Sequence, residues 1–177
     1  MKAPHSLHAT LMLALTLALA IALPRASFAQ SPAPPAQLIS SAEAHAIIDG
    51  AIAFAREKNL RLGVVVLDTA GEMVAGERMD GAPGRNIQFA EGKAFASVMY
   101  RITSEKMSEL YKNQPDRYFG IMNVYGNKVY LVSGGVPIAV DGKLIGAVGV
   151  AGTPGQDEEA AKAGIAAWEK ARASLRK

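Results

Sequence analysis

The sequence predicts an α+β domain in which an antiparallel sheet of about five strands packs against helices. Two pairs of short β-branched segments carry this prediction, because a tight turn joins the strands of each pair. The first pair is 62–67 and 72–78, and the second lies within 134–152. The second pair turns at Asp141-Gly142, a dipeptide that strongly favours a two-residue hairpin. Both pairs are therefore expected to be antiparallel neighbours in one sheet.

The first helix should begin after Ser40 and run to about Lys58, with Asn59 as its stop. Ser40 and Glu43 have the spacing of a capping box, in which each side chain satisfies a free backbone amide. The apolar residues at helical spacing predict the buried face of this helix: Ala44, Ile47, Ile48, Ala51, Ile52 and Ala55.

Three further helices and one more strand complete the predicted order α-β-β-α-α-β-β-β-α. Asn86 is expected to cap the second helix, which runs to about Tyr100. Thr103 should cap a short third helix. An irregular, aromatic-rich segment is expected over 114–127, a strand over 129–132, and a closing helix from Asp157 to Trp168 or beyond. The second helix should turn an apolar stripe inward: Ile87, Ala90, Ala94 and Val98.

The last predicted strand is rich in glycine. Gly146, Gly149 and Gly152 are expected to leave one of its sides almost without side chains. Glycines weaken a strand, and they usually mark a close approach by another backbone, a helix or a flat ligand. Packing of a helix or a subunit against this side is the more frequent explanation, and a ligand is the alternative.

The first 29 residues have the pattern of a secretory signal peptide. Lys2 precedes an apolar run over 11–23, and Ser27-Phe28-Ala29 offers the small residues of a cleavage site. The run is shorter than the ~20 residues that span a bilayer, although an uncleaved anchor is the alternative. We expect a proline-rich tether over 30–37, a single domain over 38–177, and a periplasmic or secreted protein without stable membrane insertion after cleavage.

The composition of the chain excludes several kinds of partner and metal site. Removing residues 1–29 takes away two basic residues and no acidic one, so the net charge of +3 falls by two. Nothing in this near-neutral chain indicates a nucleic-acid partner. The chain has no cysteine, which excludes thiolate metal sites, iron–sulfur clusters and covalent c-type haem. An exported domain without disulfides must depend on core packing or oligomerisation.

Several motifs occur along the chain in the same order as in a known family. They are VVVLDTAG over 64–71, RMDGAP over 78–83, GKA over 92–94, GGVPIAVDG over 134–142 with its glycine strand, and QDE over 156–158. In these motifs the chain resembles the GlcG/HbpS-like haem-binding family, also called the haem-degrading-domain family. The resemblance implies a profilin-like or PAS-like sheet, assembly into a homo-oligomer, and haem as the suspected cofactor.

The candidate axial ligands are a histidine and a set of tyrosines. His45 is the sole histidine outside the signal segment, at or beside the buried stripe of the first helix. Imidazole is the commonest haem ligand, although a lone histidine there is more often a packing residue. Phenolate also ligates ferric haem. The clustered tyrosines predict either a pocket wall or a core or subunit interface: Tyr100, Tyr111, Tyr118 and Tyr125.

Cations near this segment could pair with haem propionates or with another small anionic ligand. The candidates are Arg78, Arg85, Lys93, Arg101 and Lys106, and each of them except Lys93 could equally be an ordinary surface charge. Lys93 belongs to the GKA motif and is expected to face the sheet, with Glu91 as its possible partner.

These observations favour an exported haem-binding protein: a carrier, scavenger or sensor component rather than a fast catalyst. The first alternative is a small-molecule enzyme of the same fold, acting in haem breakdown or as a lyase or isomerase on a small carboxylic or aromatic compound. Lys93, Arg78 and Glu91 would then be its acid–base candidates. The second alternative is a structural oligomeric module.

The signal-peptide interpretation predicts that the exported protein begins at Gln30. N-terminal sequencing of exported material tests this, and a protein that still starts at Met1 would refute cleavage. The segment through Pro35 should be cut by added protease while the domain resists.

Overall fold

The structure is a computed structural model, and it describes residues 38–174. The predicted signal peptide and tether lie outside the described residues. The elements in chain order are α1 (Ser41–Glu57), β1 (Gly63–Asp68), β2 (Met73–Arg78), α2 (Arg85–Tyr100), α3 (Ser104–Tyr111), α4 (Pro115–Tyr125), a 3₁₀ turn (Gly126–Lys128), β3 (Gly135–Val140), β4 (Lys143–Ala151) and α5 (Asp157–Ser174).

The α+β class with an antiparallel sheet is confirmed. Within the described residues the sheet has four strands in the order β2-β1-β4-β3, and every neighbouring pair is antiparallel. The hairpin between β3 and β4 turns where expected, with positive φ at Asp141 and Gly142. The turn between β1 and β2 is held by the Asp68 carboxylate, which accepts hydrogen bonds from the amides of Ala70 and Glu72.

The strand predicted over 129–132 is wrong. The amide of Tyr130 donates to the carbonyl of Gly92 on α2, at 3.1 Å, so this segment runs along a helix instead of joining the sheet. Val129 and Leu131 are buried there, which explains their strand-like alternation. Alternating burial is a property that a strand shares with an extended segment packed on a helix.

The irregular segment predicted over 114–127 is also wrong, because 115–125 forms helix α4. Pro115 occupies its first turn, where a missing amide costs no hydrogen bond, and Asp116 follows where the helix dipole favours an acid. Asn86 does not cap α2 either. Gly84 is the N-cap and makes no side-chain capping bond, while Asn86 is buried inside the first turn.

Helix α1 matches its prediction. The capping box between Ser40 and Glu43 is present, Asn59 has positive φ just past the end, and the six predicted residues are the buried ones. Thr103 caps α3 as predicted, since its hydroxyl accepts from the amide of Lys106.

The helices cover both faces of the sheet. Alternation along β1 shows this, because Val64 and Val66 belong to one apolar core and Val65 and Leu67 to another. The first core contains the buried faces of α1 and α5, and the second contains α2 and residues of α3 and α4. None of the described helices is both long and apolar enough to cross a membrane.

The glycines of β4 do not share one side, which corrects the prediction. Gly146 and Gly149 are three residues apart, and in a strand this spacing places them on opposite faces. A Cβ on Gly149 would overlap the backbone carbonyl of Ala90 in α2, whereas one on Gly146 would meet the carbonyl of Leu67 and the side chain of Ile39. The close approach by a helix is therefore confirmed, at Gly149.

Gly149→Val should destabilise the domain by about 3 kcal/mol or prevent folding, because a branched side chain would push α2 off the sheet. Denaturant unfolding followed by circular dichroism measures the change. Gly120→Ala in α4 is the matched control, since a Cβ there meets nothing within 4 Å. We expect that control to gain about 0.4–1 kcal/mol from reduced chain entropy. A fully stable Gly149→Val protein would show that α2 does not lie this close to β4.

Candidate functional site

A cavity lined by three tyrosines lies where the end of α2 meets α3 and α4. Its volume is about 480 Å³. We call it the tyrosine cavity, and its lining residues are Tyr100, Tyr111, Asp116, Arg117, Gly120, Ile121, Val124 and Tyr125. The tyrosines come from three different helices, so the cavity depends on how these helices pack.

Edge-to-face aromatic contacts position the tyrosines. The ring of Tyr125 lies 6.3 Å from that of Tyr100 and 5.6 Å from that of Phe95, at steep angles in both cases. This geometry is favourable for aromatic pairs because the positive ring edge meets the negative ring face. Phe95 is buried in the core on α2, so it anchors the aromatic row.

The mouth of the tyrosine cavity is apolar and open. Val124 is 78% exposed and Phe119 on the same helix is 63% exposed, both high values for apolar side chains. Leu110 on α3 is 52% exposed. Val124 lines the cavity, so its exposed apolar side chain is available there to a ligand or a partner.

The phenol of Tyr100 is held in its neutral form. Burial raises the pKa of its hydroxyl above the ordinary value of about 10, and the neighbouring phenols of Tyr125 and Tyr111 raise it further. The Tyr100 phenolate would be disfavoured by loss of solvent and by any negative charge on a neighbouring phenol. A cationic centre in the cavity would reverse this effect.

Lys93 faces the sheet, as predicted, but its predicted partner Glu91 is wrong. The Lys93 ammonium lies 2.7 Å from an oxygen of Asp157 at the start of α5 and also donates to the carbonyl of Val150, at 3.0 Å. Glu91 is exposed, because residues two apart on a helix point in different directions. Asp157 in turn accepts from the amide of Thr153, at 2.8 Å. The buried Lys93 therefore joins α2, β4 and α5.

His45 lies on α1, across the sheet from the tyrosine cavity, and its side chain is exposed. Its Nδ1 is 2.8 Å from the carbonyl of Ser41, which orients the ring. When Nδ1 carries the proton for this bond, Nε2 is left as a free acceptor and metal donor. Within the described residues, no group of three or more histidine and acidic side chains could hold a metal ion.

The remaining predicted residues are dispersed. Arg78 is at the end of edge strand β2 and donates to the carbonyl of Ala82, at 2.6 Å. Arg101 lines a different cavity beside the β3–β4 turn. Tyr118 is half-buried on α4, with its ring edge-to-face with Phe119 at 5.7 Å. Of the predicted site residues, the structure therefore brings together Tyr100 and Tyr111.

A family model described as Haem degrading protein HbpS-like matches residues 39–166. The chain belongs to this HbpS-like family. Protein GlcG of Escherichia coli K12 is 31% identical over 113 residues, which cover 64% of this chain and 81% of GlcG. An uncharacterized 15.0 kDa protein of Citrobacter freundii is 27% identical over 114 residues, which cover 64% and 80% of the two chains.

Solved structures agree with this family fold. Klebsiella pneumoniae protein ORFY superposes with a TM-score of 0.72 at 22% identity, covering 79% of this chain and 97% of ORFY. A double mutant of Streptomyces reticuli HbpS gives a TM-score of 0.68 at 23% identity, over 78% and 92% of the chains. A PduOC–haem complex superposes with a TM-score of 0.67 at 26% identity, covering 73% of this chain and 94% of PduOC.

The HbpS-like chain has site residues that the motifs did not indicate. Arg117, Ile121 and Val124 line the tyrosine cavity because 115–125 is a helix, where an irregular segment was expected. The signal for this helix is Pro115 followed by Asp116, a helix start set among aromatic residues. Tyr125 belongs to the predicted tyrosine set, and the structure places it beside Tyr100.

Lys93→Met should cost about 3–5 kcal/mol of stability, because it leaves the Asp157 carboxylate buried without its partner. Thermal and denaturant unfolding measure the loss. The pair between Lys162 and Glu158 is the matched control, since it has the same 2.7 Å separation but a lysine that is 62% exposed. Lys162→Met should cost less than about 1 kcal/mol. Equal costs for the two variants would contradict the structural role assigned to Lys93.

Proposed function

We propose that this protein is an exported haem-binding protein, a carrier, scavenger or sensor component, and that the tyrosine cavity holds the porphyrin. The observation that carries the proposal is the convergence of Tyr100, Tyr111 and Tyr125 on one open apolar cavity. Membership of the HbpS-like family and the similarity to a haem complex of PduOC support haem as the ligand.

The cavity suits the chemistry of ferric haem. Its volume of about 480 Å³ falls in the range of small-molecule sites, about 300–1,000 Å³. Ile121 and Val124 offer apolar contacts to a porphyrin face, and the open mouth leaves room for the part of a large flat ligand that extends beyond the cavity. Arg117 at the lining could pair with a propionate. Phenolate is an established donor to haem iron.

The haem, when bound, would supply a ferric centre that accepts one phenolate. The protein's own contribution is to keep the Tyr100 phenol neutral and partly shielded until haem binds. Because the pKa of Tyr100 is raised, forming the phenolate requires release of a proton. Binding through a phenolate should therefore strengthen as pH rises toward the phenol pKa.

His45 is the second donor in the proposal, but it belongs to a different surface. It projects from α1, and the sheet separates α1 from the tyrosine cavity. Its Nε2 could ligate only a haem carried on the α1 side. The two donors therefore define two separate haem positions, which substitutions can distinguish.

Export and self-association are parts of the same proposal. An exported haem carrier explains the signal pattern over 1–29. A homo-oligomer would remove from water exposed apolar side chains of α3 and α4, namely Leu110, Phe119 and Val124. The enzyme alternative receives less support, because Lys93 is buried in an ion pair and Arg78 and Glu91 lie in other cavities.

A hemin titration followed by absorbance should show a shifted Soret band and a saturable stoichiometry. Replacing the three cavity tyrosines with phenylalanine keeps the apolar wall and removes the donors. We expect the triple variant Tyr100→Phe, Tyr111→Phe and Tyr125→Phe to lose the phenolate charge-transfer band and at least tenfold in affinity. Tyr130→Phe is the control, because Tyr130 lies outside this cavity.

The pH dependence of hemin affinity identifies the donor. For phenolate ligation, affinity should rise by about tenfold per pH unit below the phenol pKa, since one proton leaves on binding. Histidine ligation is identified by substitution instead, because His45→Ala should then lower hemin affinity while the triple tyrosine variant keeps it. Wild-type spectra and affinity in both the triple tyrosine variant and His45→Ala would refute specific haem ligation.

A further inference from the structure

A second cavity lies on the same side of the sheet and has different chemistry. Its volume is about 510 Å³, and we call it the acidic–aromatic cavity. It is lined by residues of α2, the β1–β2 turn, α4 and the segment after α4: Gly71, Glu72, Gln88, Phe89, Glu91, Gly92, Phe95, Met122, Lys128, Val129 and Tyr130. Of these side chains the proposed haem site depends only on Phe95, whose ring packs against Tyr125.

One wall of the cavity is aromatic. The rings of Phe89 and Tyr130 stack with centroids 4.9 Å apart and an interplanar angle of 26°. Gly92 makes this wall possible, because a Cβ there would lie 2.8 Å from the Cβ of Tyr130. Phe89 remains 37% exposed, so its ring is accessible.

The charges of the cavity favour a cation. Glu72 and Glu91 are both exposed, and among the described residues neither has a cationic group within 4.0 Å. Gln88 adds an uncharged polar group to the same lining. Two carboxylates against one lysine leave the described lining with a net negative charge, which disfavours propionates and other anions.

A tethered cation already occupies one aromatic face. The ammonium of Lys128, the single basic residue in the described lining, lies 5.8 Å from the centroid of Phe95. An ammonium within about 6 Å of a ring centroid is attracted by the ring quadrupole. Lys128 shows that a primary ammonium can lie against this ring within the fold.

We propose that the acidic–aromatic cavity binds a small organic cation, an amine with a flat aromatic or apolar body. The body lies against the exposed ring of Phe89, which stacks on Tyr130, and the ammonium pairs with Glu72 or Glu91. The positive charge of Lys128 in the same lining opposes a second cation, so it lowers the affinity of the site. The two cavities flank α4 and differ in ligand charge, which makes this site separate from the proposed haem site.

Three probes with the same ring and different charge test the proposal: benzylamine, benzyl alcohol and benzoate. Each is titrated into hemin-free protein, and amide chemical shifts report affinity and position. We expect benzylamine to bind saturably, with shifts at Phe89, Glu91 and Tyr130. Benzyl alcohol should bind at least tenfold more weakly, and benzoate should not bind.

Substitutions test which charged side chains of the cavity act on the bound amine. Glu72→Gln with Glu91→Gln should weaken benzylamine binding at least tenfold, and Lys128→Met should strengthen it severalfold. Glu77→Gln is the matched control, because it removes an exposed carboxylate on β2 outside the cavity. Circular dichroism checks that each variant is folded. If the double variant does not fold, Glu72→Gln and Glu91→Gln are tested as single variants.

Binding of benzoate as tight as that of benzylamine, absence of saturable benzylamine binding, or an unchanged affinity in the folded glutamine variants would overturn the proposal. The same glutamine variants should titrate with hemin like the wild type. Benzylamine binding without hemin binding would overturn only the haem proposal. Hemin binding without benzylamine binding would overturn only the amine proposal.

Discussion

The approach of helix α2 to the backbone of β3 and β4 is the constraint on which the other features depend. Gly149 leaves room for the carbonyl of Ala90, and Gly135 leaves room for the carbonyl of Lys93. At this distance the Lys93 side chain reaches Val150 and Asp157, and the buried ion pair fixes the start of α5. Close backbone packing and the buried ion pair therefore both hold the sheet-facing side of α2.

Helix α2 also supplies residues to both cavities. Its last residue, Tyr100, enters the tyrosine cavity, whereas Phe89 and Glu91, earlier on the helix, line the acidic–aromatic cavity. Phe95 lies between them and contacts Tyr125 on α4. A shift of α2 away from the sheet would therefore change both cavities at once, although different ligands are proposed for them.

The sequence could predict the parts of this structure that local chemistry determines. Ser40 and Glu43 indicated the start of α1, the apolar spacing predicted its buried face, and Asp141-Gly142 identified the hairpin. The close approach at Gly149 could also be expected from a glycine inside a strand. For the helix and the hairpin, the deciding residues are close in sequence or follow the helical period.

The parts that failed depend on contacts between distant residues. Segment 129–132 alternates like a strand, but its hydrogen bond goes to Gly92 on α2. Asp157 lies 64 residues from Lys93, so no local pattern could have preferred it to Glu91. The tyrosine cavity was only partly predicted, because its wall needs α4, and the sheet that separates His45 from the tyrosines has no signature in either residue's neighbourhood.

Paramagnetic broadening by bound haem tests the central claim most directly. Ferric hemin broadens the amide signals of nearby residues, and zinc protoporphyrin provides the diamagnetic reference on the same protein. We expect amides of Tyr100, Tyr111 and helix α4 to lose intensity while those around His45 on α1 keep theirs. Broadening around His45 with sharp signals along α4 would contradict haem binding in the tyrosine cavity.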